Sequence, residues 1–190
     1  GSSSYKSSTV TIPSSTTPGN YYILFYADYS GVVTETNETN NVNYAPITIA
    51  TPSIDLVIQT PSLSPTSVAA GSSVSASCYI YNQGTASATY SYVGYYLSTD
   101  NVWDAGDTYL NYSTGGTLSA GTSSYRSSTL TIPSSATPGN YYILYYADYS
   151  AYVSETNENN NVNYLAITIV TPSIDLVIQT PYSPSTGVAG

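Results

Sequence analysis

The side chains best placed for chemistry lie in one short stretch, where Asp100, Asn101, Asp104 and Asp107 crowd several oxygens into a single loop. Ca2+ takes about six to eight hard oxygen ligands from groups of this kind, and clustered acids with no basic neighbour repel one another unless a cation joins them. The spacing is not that of an EF-hand. Asp and Asn also serve as turn formers, and Gly106 would ease a turn, so a solvated turn is the favoured reading, with Ca2+ the alternative. A second polar run, Glu35-Thr36-Asn37-Glu38-Thr39-Asn40-Asn41, recurs as Glu155-Thr156-Asn157-Glu158-Asn159-Asn160-Asn161. Such side chains bond nearby backbone groups in turns, and that structural role is favoured over Asp28 or Asp148 helping the run to hold a cation.

Hydrolytic chemistry has little to work with. There is no His, and the abundant Ser has no positioned base. A glycosidase needs two carboxylates across a cleft, whereas Asp100, Asp104 and Asp107 share one loop. No catalytic or cofactor-binding residue is assigned, and the chain is expected not to be an enzyme. Cys78, the only cysteine, follows Val74 and Ala76 and precedes Ile80 at a spacing of two. It is expected on the inward face of a strand as a small buried hydrophobe; an interchain disulfide or a reactive thiol is the alternative. An isopeptide cross-link needs a lysine, and Lys6 is replaced by Arg126 in the matching segment. Two sequons occur, at Asn37 and Asn111, but position 159 is Asn where position 39 is Thr, so glycosylation of Asn37 is not built into the repeat.

Composition narrows the partners. Hydrophobic residues make up 41% and charged residues 7%, against about 25% charged in an ordinary globular domain. With 23 Tyr the chain is too aromatic to be a disordered acidic one, so Ser, Thr, Asn and Tyr must wet the surface. A net charge of −9, with only Lys6 and Arg126 opposing eleven acids, argues against nucleic-acid binding. No run of about 18 apolar residues is present to span a membrane.

The elements that must position these residues are strands. Val, Ile, Thr and Tyr alternate in short runs bounded by Pro, Gly, Ser and Asn. The runs are 54–60, 72–81, 86–98 (Val93, Tyr95 and Leu97 inward), 108–112, 123–132 (Leu130 and Ile132 inward), 141–149 and 161–170. The acidic loop is 99–107, and Thr137-Pro138-Gly139 reads as a tight turn. Seven short strands predict an immunoglobulin-like antiparallel β-sandwich. Residues 1–60 match 121–180 without a gap, differing at twelve positions. Within a longer gene product the expected domains are therefore 1–51, the C-terminal part of one repeat; 52–171, a complete repeat; and 172–190, the first strand of the next. Only Thr171-Pro172-Ser173-Ile174 joins two units, leaving little freedom, and strands of about 12 residues at about 3.3 Å each would make units roughly 40 Å long in a stiff rod.

Tyr141, Ile143 and Tyr145 share one face of their strand, and Tyr142, Leu144 and Tyr146 the other. Neither face is polar. An exposed apolar face is a liability, so the outer tyrosines are expected to meet a neighbouring filament, the adjacent domain or attached glycan; cross-strand tyrosine pairing is the plainer alternative.

The segments DLVIQTPSLSPTSVAAGSSVSASCYIYNQG, GYYLSTDNVWDAGDTYL, TLTIPSSATPGNYYILYYAD and VSETNENNNV resemble the CARDB family, a cell-adhesion-related domain found in bacteria. The resemblance covers 52–170 and both partial units. It implies tandem immunoglobulin-like sandwiches in large bacterial or archaeal proteins that are secreted or held at the cell surface, with no shared catalytic residues to carry over. The favoured function is a structural subunit or stalk of an extracellular fibre whose partner is itself, head to tail and along its sides. An adhesin-type module recognising carbohydrate or another surface is the rival, and a spacer beside an enzyme domain a third option.

Overall fold

The computed structural model describes residues 1–182, 186 and 187, and all its regular elements are strands. The chain divides into two compact units, Gly1–Ser53 and Ile54–Gly190. The first holds one antiparallel hairpin, β1 (Gly19–Tyr26) with β2 (Val42–Ile49), in register from Gly19↔Ile49 to Tyr26↔Val42.

The second unit is a sandwich of two sheets. Its strands are β3 (Leu56–Ser64), β4 (Ser67–Ala69), β5 (Ser73–Asn82), β6 (Val93–Ser98), β7 (Thr108–Ser113), β8 (Ser123–Thr131), β9 (Gly139–Ala147) and β10 (Val162–Val170). One sheet runs β3-β5-β8, the other β4-β10-β9-β6-β7. The first strand is shared between them: β3 pairs antiparallel with β5, then β4 runs parallel to β10. Pro65 has no N–H to give and helps to end the first pairing. This order, with the opening strand split across the two layers, is the immunoglobulin-like topology the alternation predicts.

The core follows from period two. On β5, Val74, Ala76, Cys78 and Ile80 are buried while their neighbours are not. Beside them in the same sheet lie Leu130 of β8 and Ile132 just after it, and across the layer they meet Val93, Tyr95 and Leu97 of β6 and Ile143 and Tyr145 of β9. Tyr95 and Tyr145 meet edge to face at 5.4 Å, the arrangement that ring quadrupoles favour.

Several details depart from the sequence expectation. The run 86–98 is not one strand: Ala88 makes an isolated bridge to Leu118, and β6 begins only at Val93. The chain crosses between sheets there, which period two alone cannot signal. The first strand does not stop at Thr60. It continues to Ser64 through a register shift between Gln59 and Ser62, with Thr60 at φ 44°, because a bulge accommodates Pro61. The hydrogen-bonded turn before β9 falls at Pro133–Ala136, not at 137–139, with Ala136 N donating to Pro133 O at 3.0 Å; Gly139 already pairs in β9. Strand β4 is not anticipated at all. Of the expected next-repeat strand at 172–190, residues 171–182 carry no strand pairing, while 183–185 and 188–190 lie outside the described residues.

Candidate functional site

The outer face of the larger sheet carries the most distinctive surface. Tyr96, Tyr109, Tyr142, Tyr146 and Tyr164 project there from four adjacent strands, and the rings meet one another. Tyr142 and Tyr164 lie 5.6 Å apart, and Tyr96 and Tyr109 5.5 Å apart, both edge to face. Leu144, flanked in the ladder by Tyr96 and Tyr164, is fully buried although it lies outside the main core. Cross-strand ring pairing therefore covers much of the outer face. Gly94 belongs to the same layer: a Cβ there would meet Tyr149 Cγ at 2.6 Å, so the ring rests on bare backbone.

The acidic loop adds a further ring. Trp103 packs edge-on against Tyr146 at 5.0 Å and against Tyr96 at 6.2 Å. Trp103, Tyr146 and Tyr164 wall an open groove of about 420 Å3, whose polar lining includes Asn101, Glu158, Asn159 and Asn161. Sequence reasoning missed this groove. The available signal was the chain's only tryptophan, sitting inside a loop read for its carboxylates and Asn101.

Those carboxylates are engaged locally. Asp100 Oδ1 accepts from Val102 N at 2.9 Å, Asp104 Oδ1 from Gly106 N at 2.6 Å, and Asp107 Oδ2 from Asp104 N at 2.9 Å. Asn101 contributes to the groove, away from these bonds. Among the described residues, no group of three or more His, Cys, Asp or Glu is arranged to hold one metal ion.

The polar run after β9 is a latch on the opening strand. Glu155 accepts from Leu56 N and, at 2.8 Å, from Asn161 Nδ2. Thr156 N donates to Ile54 O at 2.9 Å, Asn160 Nδ2 to Asp55 Oδ1 at 2.9 Å, and Asn163 Nδ2 to Ile58 O at 3.2 Å. Burial raises the Glu155 carboxyl from its ordinary 4.5 to about 7, with the charges of Glu158 and Asp148 acting the same way and the two hydrogen bonds opposing. Asp148 is held up by burial too, although it accepts from Tyr152 N at 3.1 Å and Val153 N at 2.8 Å.

The remaining candidates are placed as follows. Cys78 is buried, and desolvation pushes its thiol up to about 12, which makes it a poor nucleophile. Asn37 is exposed and its Oδ1 accepts from Thr39 N at 3.0 Å. Asn111 lies in β7, and its Nδ2, the atom a glycan would occupy, donates to Thr129 O at 3.1 Å. Among the described residues no helix is long and apolar enough to cross a membrane.

Comparison with known proteins is consistent with this architecture. The CARDB family model matches residues 1–45 and 53–164. Among solved structures, the crystal structure of the CARDB domain of PF1109 from Pyrococcus furiosus, in complex with di-metal ions, is similar at 20% identity and TM-score 0.49, covering 65% of this chain and 100% of that one. The solution structure of the same domain gives 21%, 0.47, 63% and 98%. A β-glucosidase from Listeria innocua aligns at 12% identity and TM-score 0.42, over 67% of this chain but only 17% of its own. No curated protein matches the sequence.

Proposed function

The chain belongs to the CARDB family, and on that premise we propose that it is a repeated, non-catalytic module of a bacterial or archaeal surface protein, serving as a subunit or stalk of an extracellular fibre. CARDB is a cell-adhesion-related family; the fibre role is the finer step. The observation that carries it is repetition in register. Hairpin β1–β2 is reproduced by β9–β10 residue for residue, Gly19↔Ile49 corresponding to Gly139↔Ile169 and Tyr26↔Val42 to Tyr146↔Val162. On this reading 1–51 closes one sandwich, 52–171 is a complete one and 172–190 opens the next, with a short Pro-containing joint between them. The partner is then another copy of the same repeat, met head to tail or along the Tyr-rich faces.

Electron microscopy of native material tests the reading. Long filaments with an axial repeat near the length of one sandwich are expected; isolated globular particles would sink it.

For Asp100, Asn101, Asp104 and Asp107 we propose the turn role over a calcium site, because all three carboxylates are already bonded to backbone N–H groups. Millimolar CaCl2 should then give neither binding heat nor a change in Tm. A saturable heat with a raised Tm would restore the metal.

A further inference from the structure

We propose that the groove walled by Trp103, Tyr146 and Tyr164 is a binding site for a neutral carbohydrate, a chain of uncharged hexopyranose units. This goes beyond the fibre role and does not depend on it.

The walls suit a sugar ring. The rings of Trp103 and Tyr164 remain 37% and 41% exposed, unlike the core aromatics. Aromatic faces carry negative charge density, and the axial C–H groups of a pyranose present a slightly positive, apolar face that can lie on them. At about 420 Å3 the groove is within the range of small-molecule sites, about 300–1,000 Å3. It is open, so an oligosaccharide could enter and leave along it.

The polar lining suits hydroxyl groups. Asn161 is only 2% exposed. Its Nδ2 donates to Glu155 Oε1 at 2.8 Å and to Ala147 O at 3.4 Å, but its Oδ1 is buried with no partner. That oxygen is closed to solvent, so it accepts a sugar hydroxyl only if the side chain shifts toward the groove. Glu158 commits Oε1 to Glu155 N at 2.9 Å, leaving Oε2 as a second acceptor. Asn101 and Asn159 bring amides, each offering both donors and an acceptor. Mixed donors and acceptors around an aromatic floor match the alternating hydroxyls of a hexose.

Charge narrows the class. No Lys or Arg lines the groove, and the chain carries −9 overall, so acidic polysaccharides and nucleic acids are disfavoured. An ammonium cage needs rings spread about a central space. Here Trp103 and Tyr146 pack against each other at 5.0 Å and 62°, which fills that space.

Trp103 is the only tryptophan, so its emission reports on this groove alone. The test titrates the full chain with cellohexaose and mannohexaose, and with polygalacturonate and tetramethylammonium chloride as charged controls. A saturable emission change with a neutral hexasaccharide is expected, weakened about tenfold by Tyr164→Ala, which keeps the reporter. Asn159→Ala, an exposed change, should weaken it too and stands in if Tyr164→Ala disturbs folding. Flat titrations with both neutral sugars, undiminished binding in the variants, or a response confined to either charged control would overturn the assignment. Filament formation, judged by microscopy, is unaffected by either result.

Discussion

The two hairpins, β1–β2 and β9–β10, share register and nearly all of their sequence, yet their surroundings are opposite. Tyr22–Tyr44 and Tyr142–Tyr164 make the same edge-to-face contact, at 5.1 and 5.6 Å. Thr17–Tyr21 and Thr137–Tyr141 share a bond at 2.9 and 3.0 Å. Asp28 caps Val32 N and Val33 N just as Asp148 caps Tyr152 N and Val153 N. Burial does not follow. Phe25 and Leu24 are 60% and 65% exposed, while Tyr145 and Leu144 are fully buried. Bonds within a hairpin are encoded by that segment alone. The burial of the second hairpin, and the latch that Glu155, Asn160 and Asn163 make on β3 and the residue before it, come from the neighbouring strands of the Ile54–Gly190 unit.

Substitutions in the two copies can break or sharpen that contrast. The largest effect is expected from Tyr145→Ala, which should cost about 3–5 kcal/mol in urea unfolding followed by circular dichroism. Phe25→Ala should change stability by no more than about 0.5 kcal/mol; an equal loss there would mean that the first hairpin is covered in solution. Asp148→Ala strips two partly or fully buried N–H groups of their acceptor, at about 1–3 kcal/mol, and Asp28→Ala should cost less because its partners can turn to water. Ala151 sits at φ 51° where the first copy has Gly31 at 61°. Ala151→Gly removes left-handed strain of about 1–2 kcal/mol but adds unfolded-state entropy of roughly 0.5–1 kcal/mol, so a net gain under about 1 kcal/mol should appear in a melting scan.

The remaining test is a pH dependence. The Glu155 carboxyl titrates at about 7 in the folded protein against an ordinary 4.5, so the folded state holds the proton more tightly. Its stabilising contribution is complete below about 4.5 and is lost as pH rises through about 7. Glu155→Gln should flatten the stability profile across that window, and an unchanged slope would count against the latch.

Much of the fold was legible because alternation is a local signal. Val74, Ala76, Cys78 and Ile80 announce a half-buried strand whatever lies across from them. What failed was what depends on distant partners. The crossing at 86–92 carries Ala88 and Tyr90 at strand-like spacing, yet Ala88 answers to Leu118, thirty residues on. Strand β4 is three residues long, too short for any period, and exists because β10 offers an edge. The acidic loop shows the same limit at the site. Its composition allowed either a turn or a cation, and the backbone N–H groups beside each carboxylate, on which the proposed turn role rests, are not visible in composition. Trp103 was overlooked because its meaning arises from Tyr146 and Tyr164, which other strands deliver.

The short parallel pairing of β4 with β10 bears on how this unit would take a pull. Thr168↔Ser67, Ile169↔Val68 and Val170↔Ala69 run in the same direction, one strand near the beginning of the sandwich and the other at its end. Tension drawn from one end of the unit to the other slides these strands along each other in shear. All three rungs are then loaded at once, whereas an antiparallel hairpin pulled at its open end peels one rung at a time. Three residues that no pattern foretold are thus oriented to resist stretching in shear.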